Sequence, residues 1–417
     1  MINKIKNKTY NLLRWSEKYA KTDMVYLAKS TFWINSNTTV VSIFSFLLYM
    51  AFSKFLPKEN YGFYQFILSI GSIIGAFTLT GMNTAITQAV ARGFEGTFKK
   101  SIIIQLKYSI VPFLISLGVS LYYILNNNWE IAFGVLIVGI LIPIINTFNT
   151  CAAFLNGRKD FKSNFFLSQI LNFTYYPILI FSLLITKNPL ILVFLNLILN
   201  LLAGAISYFI IIKTHKPNNQ EDPETVSYGK HLSLANFIGT AIMQLDNILV
   251  FHYFGAIELA IYAFATNIAD RFSGLFKSIQ IAAFPKIAVR DKDDLKNNLI
   301  IKSIKLFLLN IVFILIYIIL APYIYKIFFP EYVSSIFYSQ LYAVMLALSA
   351  IYTLPLITIS AKKEKKEYYI YSIISPLFSI ISMIIMIKYF GIFGLIINKG
   401  VSNIFNAGLS YKLVFKK

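Results

Sequence analysis

Residues His231–Phe284 read HLSLANFIGTAIMQLDNILVFHYFGAIELAIYAFATNIADRFSGLFKSIQIAAF. Two apolar runs, 231–253 and 257–284, meet at a short turn, and each is long enough to cross a hydrocarbon core about 30 Å thick, which takes ~20 residues of helix. Within them lie Asp246, Asp270, Arg271 and Lys277. Ionisable groups at the centre of a span cost roughly 2.5–3.5 kcal/mol on insertion scales, so they are rare there and line cavities or pathways. This stretch makes the chain a membrane protein and marks where its function is to be sought.

The composition extends that reading to the whole chain. Its 417 residues are 57% hydrophobic and only 13% charged, with mean hydropathy +0.66, where a soluble domain carries about 25% charge. An all-α polytopic membrane protein is expected. Residues 1–30 are polar and basic, without the short apolar core and small-residue cleavage site of a signal peptide. They are read as a cytoplasmic amphipathic segment whose Leu12, Leu13, Trp15 and Tyr19 dip into the headgroups. Cys151 stands alone, which excludes an intrachain disulfide and a cysteine-rich metal site. His215, His231 and His252 are scattered, so no zinc or haem set can be assembled and no cofactor is expected.

Hydropathy places twelve spans at approximately 31–53, 61–84, 102–125, 131–155, 165–186, 190–212, 231–253, 257–284, 303–325, 335–360, 368–387 and 391–411. The net charge of +20 would suit nucleic acid, but its placement argues against that partner. Of the 38 Lys and Arg, 30 fall in or beside the connections on the side of the termini, 5 on the opposite side, and 3 (Arg271, Lys277, Lys399) within spans. That asymmetry is the positive-inside signature and puts both termini in the cytoplasm. The longest polar connection, 213–230, separates an N-lobe (31–212) from a C-lobe (231–417). The lobes read as repeats: at an offset of 198, LPKENYGFYQF (56–66) falls on FGAIELAIYAF (254–264), pairing Tyr64 with Tyr262 and Phe66 with Phe264. Duplication of a six-helix unit is a recurrent transporter plan.

Polar residues recur in matching registers of the two repeats. In the first span Thr31, Asn35, Thr38, Ser42, Ser45 and Tyr49 follow 3- and 4-residue spacings, so they share one helix face. The same offset gives Ser233, Asn236, Thr240, Met243 and Asn247 in the seventh. A cavity between the lobes explains the coincidence, while helix–helix hydrogen bonding by small polar side chains is the plainer account. In the eighth span Asn267, Arg271, Gly274 and Ser278 share a face, with Asp270 and Lys277 on an adjacent one. The charges of these two spans either brace the helices or serve substrate binding and coupling, Asp246 and Asp270 being the candidate coupling or charge-pair residues. Lys399, beside Asn398, either lines the cavity or snorkels to the interface. Three bases against two acids leave surplus positive charge, which in a dry cavity favours an anion.

The turn LPKENYGFY, the stretch from Gly81–Met82 to Ala91–Arg92, and QLDNILVFHYFGAIELAIYAFA together resemble the polysaccharide-repeat-unit (Wzx-type) flippases. These belong to the multidrug/oligosaccharidyl-lipid/polysaccharide (MOP) exporter superfamily. The resemblance runs over essentially the whole chain. It implies a V-shaped transporter like the multidrug (MATE-type) members, built from two six-helix pseudo-repeats. It further implies a bacterial inner-membrane protein that flips undecaprenyl-diphosphate-linked oligosaccharide for O-antigen, capsule or a related glycan. Lipid bilayer, a polysaccharide polymerase and a chain-length regulator are the other partners it implies. The rival is a cation-coupled multidrug exporter. Many of those use membrane carboxylates to couple Na⁺ or H⁺, and here only Asp246 or Asp270 could serve, since the first six spans hold no acid. No Gly-rich phosphate loop or paired-carboxylate motif is present, and the 213–230 connection is short, so an enzyme is not expected.

Overall fold

In the computed structural model the backbone is described for residues 14–15, 24–289, 292–361 and 365–415. Side chains are described over the same residues except 27, 235, 238, 273–289, 292–298, 360–361 and 365–366. Most of the amphipathic segment expected over 1–30 therefore lies outside the described residues, as do the side chains of Gly274, Lys277 and Ser278.

The chain is built of helices, and no strand occurs among the described residues. The first half comprises Met24–Phe55, Lys58–Ala76, Met82–Ala91, Gly96–Tyr108, Ile110–Leu125, Trp129–Phe148, Thr150–Gly157, Phe161–Ile185 and Pro189–His215. The second comprises Thr225–Val289, Lys292–Phe328, Ser335–Ala347, Ser349–Ala361 and Lys365–Phe415, with a 3₁₀ turn at Pro330–Tyr332. Helices are the expected answer to hydrocarbon, because a helix satisfies its own backbone donors and acceptors where water cannot. Two of the starts carry side-chain caps. Asp160 accepts from the Ser163 amide at 3.0 Å, and Asn188 accepts from Leu190 and Ile191 with Pro189 in the first turn.

Nine helices among the described residues are long and apolar enough to cross a membrane. Two of them, Thr225–Phe272 and Glu367–Phe415, hold 48 and 49 residues, about twice a crossing. Each folds back on itself. Gly255 (φ 85°, ψ −175°) and Gly391 (φ 59°, ψ −143°) leave helical geometry. Residues 16 apart then touch: Tyr262 Oη donates to Asp246 Oδ2 at 2.8 Å, and Ser382 Oγ donates to Asn398 Oδ1 at 2.5 Å. In a straight helix such pairs would stand about 24 Å apart. Many large apolar side chains point outward, among them Leu125, Phe209, Ile170, Ile319 and Ile327. An inside-out surface of that extent fits lipid and not water.

Where the core lies decides the shape. One end of the bundle carries the start of Met24–Phe55, the end of Lys365–Phe415 and the 216–224 connection; the opposite end carries the turns near residues 57, 255 and 330. Toward the opposite end a single core draws on both halves: Phe52, Tyr61, Tyr64 and Ile67 meet Phe264, Tyr325, Phe329 and Tyr332. Phe264 stacks on Tyr332 with ring centroids 3.6 Å apart and lies 4.9 Å from Tyr61. Tyr64, Tyr262, Phe66 and Phe264, the residues matched at the 198 offset, are all buried in it. Gly62 passes so close to the second half that a Cβ there would lie 1.8 Å from the Ala256 carbonyl oxygen, so only glycine permits the approach.

Toward the terminal end the core divides. One cluster (Leu79, Met82, Ile86, Phe98, Phe154, Ile211) belongs to the first half, and another (Ile359, Tyr371, Leu413, Val414) to the second. The halves still touch along one seam, where Gly81 N donates to Ser233 Oγ at 3.0 Å and Phe77 packs on Phe237 at 4.6 Å. The Met24–Phe55 helix instead reaches the second half through Phe46 and Tyr49. Nearer its start its ring partners from other helices, Phe161, Phe165, Phe166, Phe173 and Tyr176, all come from the first half. The bundle is joined at one end and parted at the other.

The connection at 216–224 is fastened to the first half. Gly96 N donates to Gln220 O at 2.9 Å, Glu95 and Asn218 exchange backbone-to-side-chain bonds at 3.1 Å, and Lys100 meets Glu221 at 2.5 Å. Buried Asp222 receives the Thr225 hydroxyl, the Glu224 amide and the Arg92 guanidinium, while its own amide donates to Thr97. The Thr225 hydroxyl foremost, with the Glu224 amide and Arg92, outweighs burial and holds the Asp222 carboxyl below its ordinary range. This polar stretch is thus a strap on one half, not a slack tether.

Candidate functional site

Mid-membrane charge gathers just inside the joined core, on the two arms of the Thr225–Val289 hairpin and on helices opposite. Asp246 accepts from Tyr262, and Asp270 accepts from Tyr342 Oη at 3.3 Å. The two carboxylates act electrostatically on both tyrosines and on each other, so they form one cluster. Lys399 lies within electrostatic reach of Asp246. Arg271 lies within hydrogen-bonding reach of the Tyr49 hydroxyl, so it spans from the second half to the first. Tyr49 in turn packs on Phe264 at 5.9 Å, which places Arg271 directly beneath the joined core.

Exposure separates the charges by sign. Arg271 and Lys399 are exposed, whereas Asp246 and Asp270 are half-buried and engaged by tyrosine hydroxyls. Among the described charges of the cluster, the two bases are thus more exposed than the two acids. Among the described residues no three His, Cys, Asp or Glu come together as metal ligands. The Tyr262 hydroxyl and the Asn247 backbone N–H donate to Asp246, and the Tyr342 hydroxyl donates to Asp270.

The predicted polar residues divide into groups. Asn35 and Asn236 are exposed. Thr38 and Thr240 turn back on their own helices, bonding the carbonyls of Ile34 and Asn236. Ser42 and Asn267 are half-buried. Asn247 joins the halves: its Nδ2 donates to Ser69 Oγ at 3.0 Å and to Gln244 Oε1 at 3.2 Å, and Ser69 donates to the same Gln244 oxygen. Asn398 is buried against Ser382 and Ser379, and Asn403 bonds the Met345 carbonyl. Sequence reasoning missed Tyr262 and Tyr342 as partners of the charges, and Gln244 and Ser69 as partners of Asn247. Tyr262 had been marked through its match with Tyr64. The others are polar residues in spans whose register alone gives no sign of what they face.

The chain matches structures across nearly its full length. A lipid II flippase, MurJ, in an inward closed conformation covers 90% of this chain and 86% of its own at 15% identity, with TM-score 0.66. An outward-facing multidrug resistance MATE family transporter of the MOP superfamily covers 93% of each at 13% identity, with TM-score 0.62. A MOP superfamily transporter from Pyrococcus furiosus, described as having a binding pocket of reverse polarity, covers 94% and 96% at 14% identity, with TM-score 0.57. The all-helical fold of these transporters is therefore that of this chain. No curated protein sequence matches it. A family model described as polysaccharide biosynthesis protein matches residues 27–289. Since that match runs over more than half of the 417 residues, the chain belongs to the polysaccharide biosynthesis protein family.

Proposed function

We propose that the protein flips undecaprenyl-diphosphate-linked oligosaccharide across the bacterial inner membrane, by alternating access between lobes 31–212 and 231–417. The observation that carries this reading is the separation of sign at the central cluster: exposed Arg271 and Lys399 against tyrosine-bound Asp246 and Asp270. A gap biased in this way attracts a diphosphate and repels a cationic drug. The family match supports the same cargo class.

In this reading the terminal end faces the cytoplasm, in keeping with the excess of Lys and Arg there, and the arrangement described is open inward. Twelve crossings are reached by taking two of the nine long helices as hairpins and adding Lys58–Ala76. The diphosphate is met by Arg271, with Lys277 and Lys399 as further cations, through charge-assisted hydrogen bonds. Asn35, Thr38, Ser42, Asn236, Thr240, Asn247 and Asn267 face the sugars. The polyprenyl tail stays in lipid beside the first helix, where that helix parts from the second half. A polar headgroup crosses only if its lost water is replaced by such partners, since an unpaired polar group in an apolar medium costs several kcal/mol. Asp246 and Asp270 exchange a proton or Na⁺ during the cycle, the tyrosine hydroxyls holding them in place.

The test is genetic. Arg271→Ala abolishes surface glycan in a strain that depends on this protein, while the variant still inserts at wild-type levels; Arg271→Lys retains part of the activity. Normal glycan from Arg271→Ala contradicts the assignment. Dye resistance that depends on Asp246, with glycan unaffected, turns the reading to the multidrug alternative.

A further inference from the structure

A second site lies in the first half, apart from the central cluster. The Met24–Phe55, Thr150–Gly157 and Phe161–Ile185 helices enclose a pocket of about 220 Å³. Trp33, Asn37 and Thr38 line it from the first helix, Asn156 from the second, and Asn164 and Phe165 from the third. We propose that this pocket binds one neutral sugar ring of the transported glycan. The proposal rests on the export reading given above and deepens it.

Four properties carry it. None of the lining residues is charged, so neither a phosphate nor a cation finds a counter-ion in the pocket. Its amides are only partly used. Asn37 Oδ1 accepts from Gln169 Nε2 at 2.6 Å, and Asn156 Oδ1 accepts from Asn164 Nδ2 at 3.2 Å. That leaves Asn37 Nδ2, Asn156 Nδ2 and Asn164 Oδ1 without a protein partner among the described residues, two donors and an acceptor at one pocket. Behind Asn37, Gln169 is 93% buried, and its Oε1 has no partner among the described residues. That one buried oxygen is expensive to leave unmet unless a ligand or water completes it, and the half-buried Asn groups stand open to the same ligand.

The wall facing them is aromatic and fixed. Trp33 packs on Phe165 at 5.2 Å and on Phe166 at 5.6 Å. A sugar ring offers C–H groups for such a wall and hydroxyls that both donate and accept, so it matches amides in either orientation. Size narrows the choice further: drug-sized ligands occupy pockets from about 300 Å³ upward, and this one holds a single ring.

Fluorescence tests it with the full-length protein in nanodiscs free of sugar detergent. The chain has three tryptophans, and Trp15→Phe with Trp129→Phe leaves Trp33 as the reporter. It is titrated with free glucose, galactose and N-acetylglucosamine, and separately with inorganic pyrophosphate. A saturable Trp33 shift with at least one sugar, none with pyrophosphate, and at least tenfold weaker response in both Asn37→Ala and Asn164→Ala supports the site. Each variant is checked for monodisperse elution, and Thr174→Val on the same helix as Asn164, outside the pocket and with its hydroxyl turned to the Ile170 carbonyl, keeps the response. No sugar response, an equal response to pyrophosphate, or a response indifferent to both Asn variants overturns it, whatever the export result. Surface glycan measured with the unaltered protein reports on the export reading alone.

Discussion

Replacing Gly62 by alanine wedges the joined end apart. The new Cβ would fall 1.8 Å from the Ala256 oxygen and 2.5 Å from its carbonyl carbon. Both are backbone atoms of the other half, so no side chain can swing aside. The helices must separate by roughly 1.5 Å to restore van der Waals distance, and overpacking of this kind costs about 1–3 kcal/mol. That cost exists only while the end is joined, so the equilibrium shifts toward the arrangement open at that end by about 5- to 150-fold. Accessibility of a buried position reads the shift. Ala260, fully buried, sits one turn along from Ala256 on the same helix face. In a Cys151→Ala background, which removes the single native cysteine, Ala260→Cys is labelled slowly by a membrane-impermeant maleimide added outside. Adding Gly62→Ala should speed labelling at least about fivefold. An unchanged rate, with unchanged thermal stability, would refute the idea that this contact closes the outer end.

Other expectations follow from single residues. Because folding lowers the Asp222 pKa, its stabilisation is complete above the ordinary carboxylate value of about 3.9 and fades as pH falls through the lower folded value. Limited proteolysis of the 216–224 strap should thus be flat from neutral pH to about 5 and rise only below about 4; Thr225→Val should move that rise to higher pH. Gly255→Ala meets no atom within 4 Å, yet must hold φ near 85°, a conformation essentially confined to glycine. It should cost about 1–3 kcal/mol and lower Tm, whereas Gly408→Ala, equally uncrowded without positive φ, should leave Tm unchanged or raise it.

The membrane fold was legible because hydrocarbon imposes length and polarity on every crossing, and the turns at Gly255 and Gly391 fall where the sequence reading ends one span and starts the next. The strap was not legible. Asn218, Glu221 and Asp222 are ordinary polar loop residues, and what they bind (Glu95, Lys100, Arg92, Thr97) lies more than 120 positions earlier. The site was legible only in part. Charge inside a span singled out Asp246, Asp270, Arg271 and Lys399, since that cost is local and independent of neighbours. Which of them stay exposed depends on Tyr262, Tyr342 and Tyr49 from other turns and helices, and periodicity carries no such information. The polar stripe shows the same limit: it drew attention to Thr38, which lines the pocket, and to Asn35, which does not, and it passed over Asn37, off that face, which pairs with Gln169 and lines the pocket.

The central claim is that a positively biased gap carries an anionic lipid-linked glycan. Its most direct test uses purified protein in vesicles holding a fluorescent polyprenyl-diphosphate disaccharide. An impermeant diphosphate-cleaving enzyme outside reports the fraction in the outer leaflet. Wild-type protein should expose lipid beyond the half accessible in protein-free vesicles, and Arg271→Ala with Lys399→Ala should not. Exposure no greater than without protein, from a preparation that expels cationic dyes, would contradict the account.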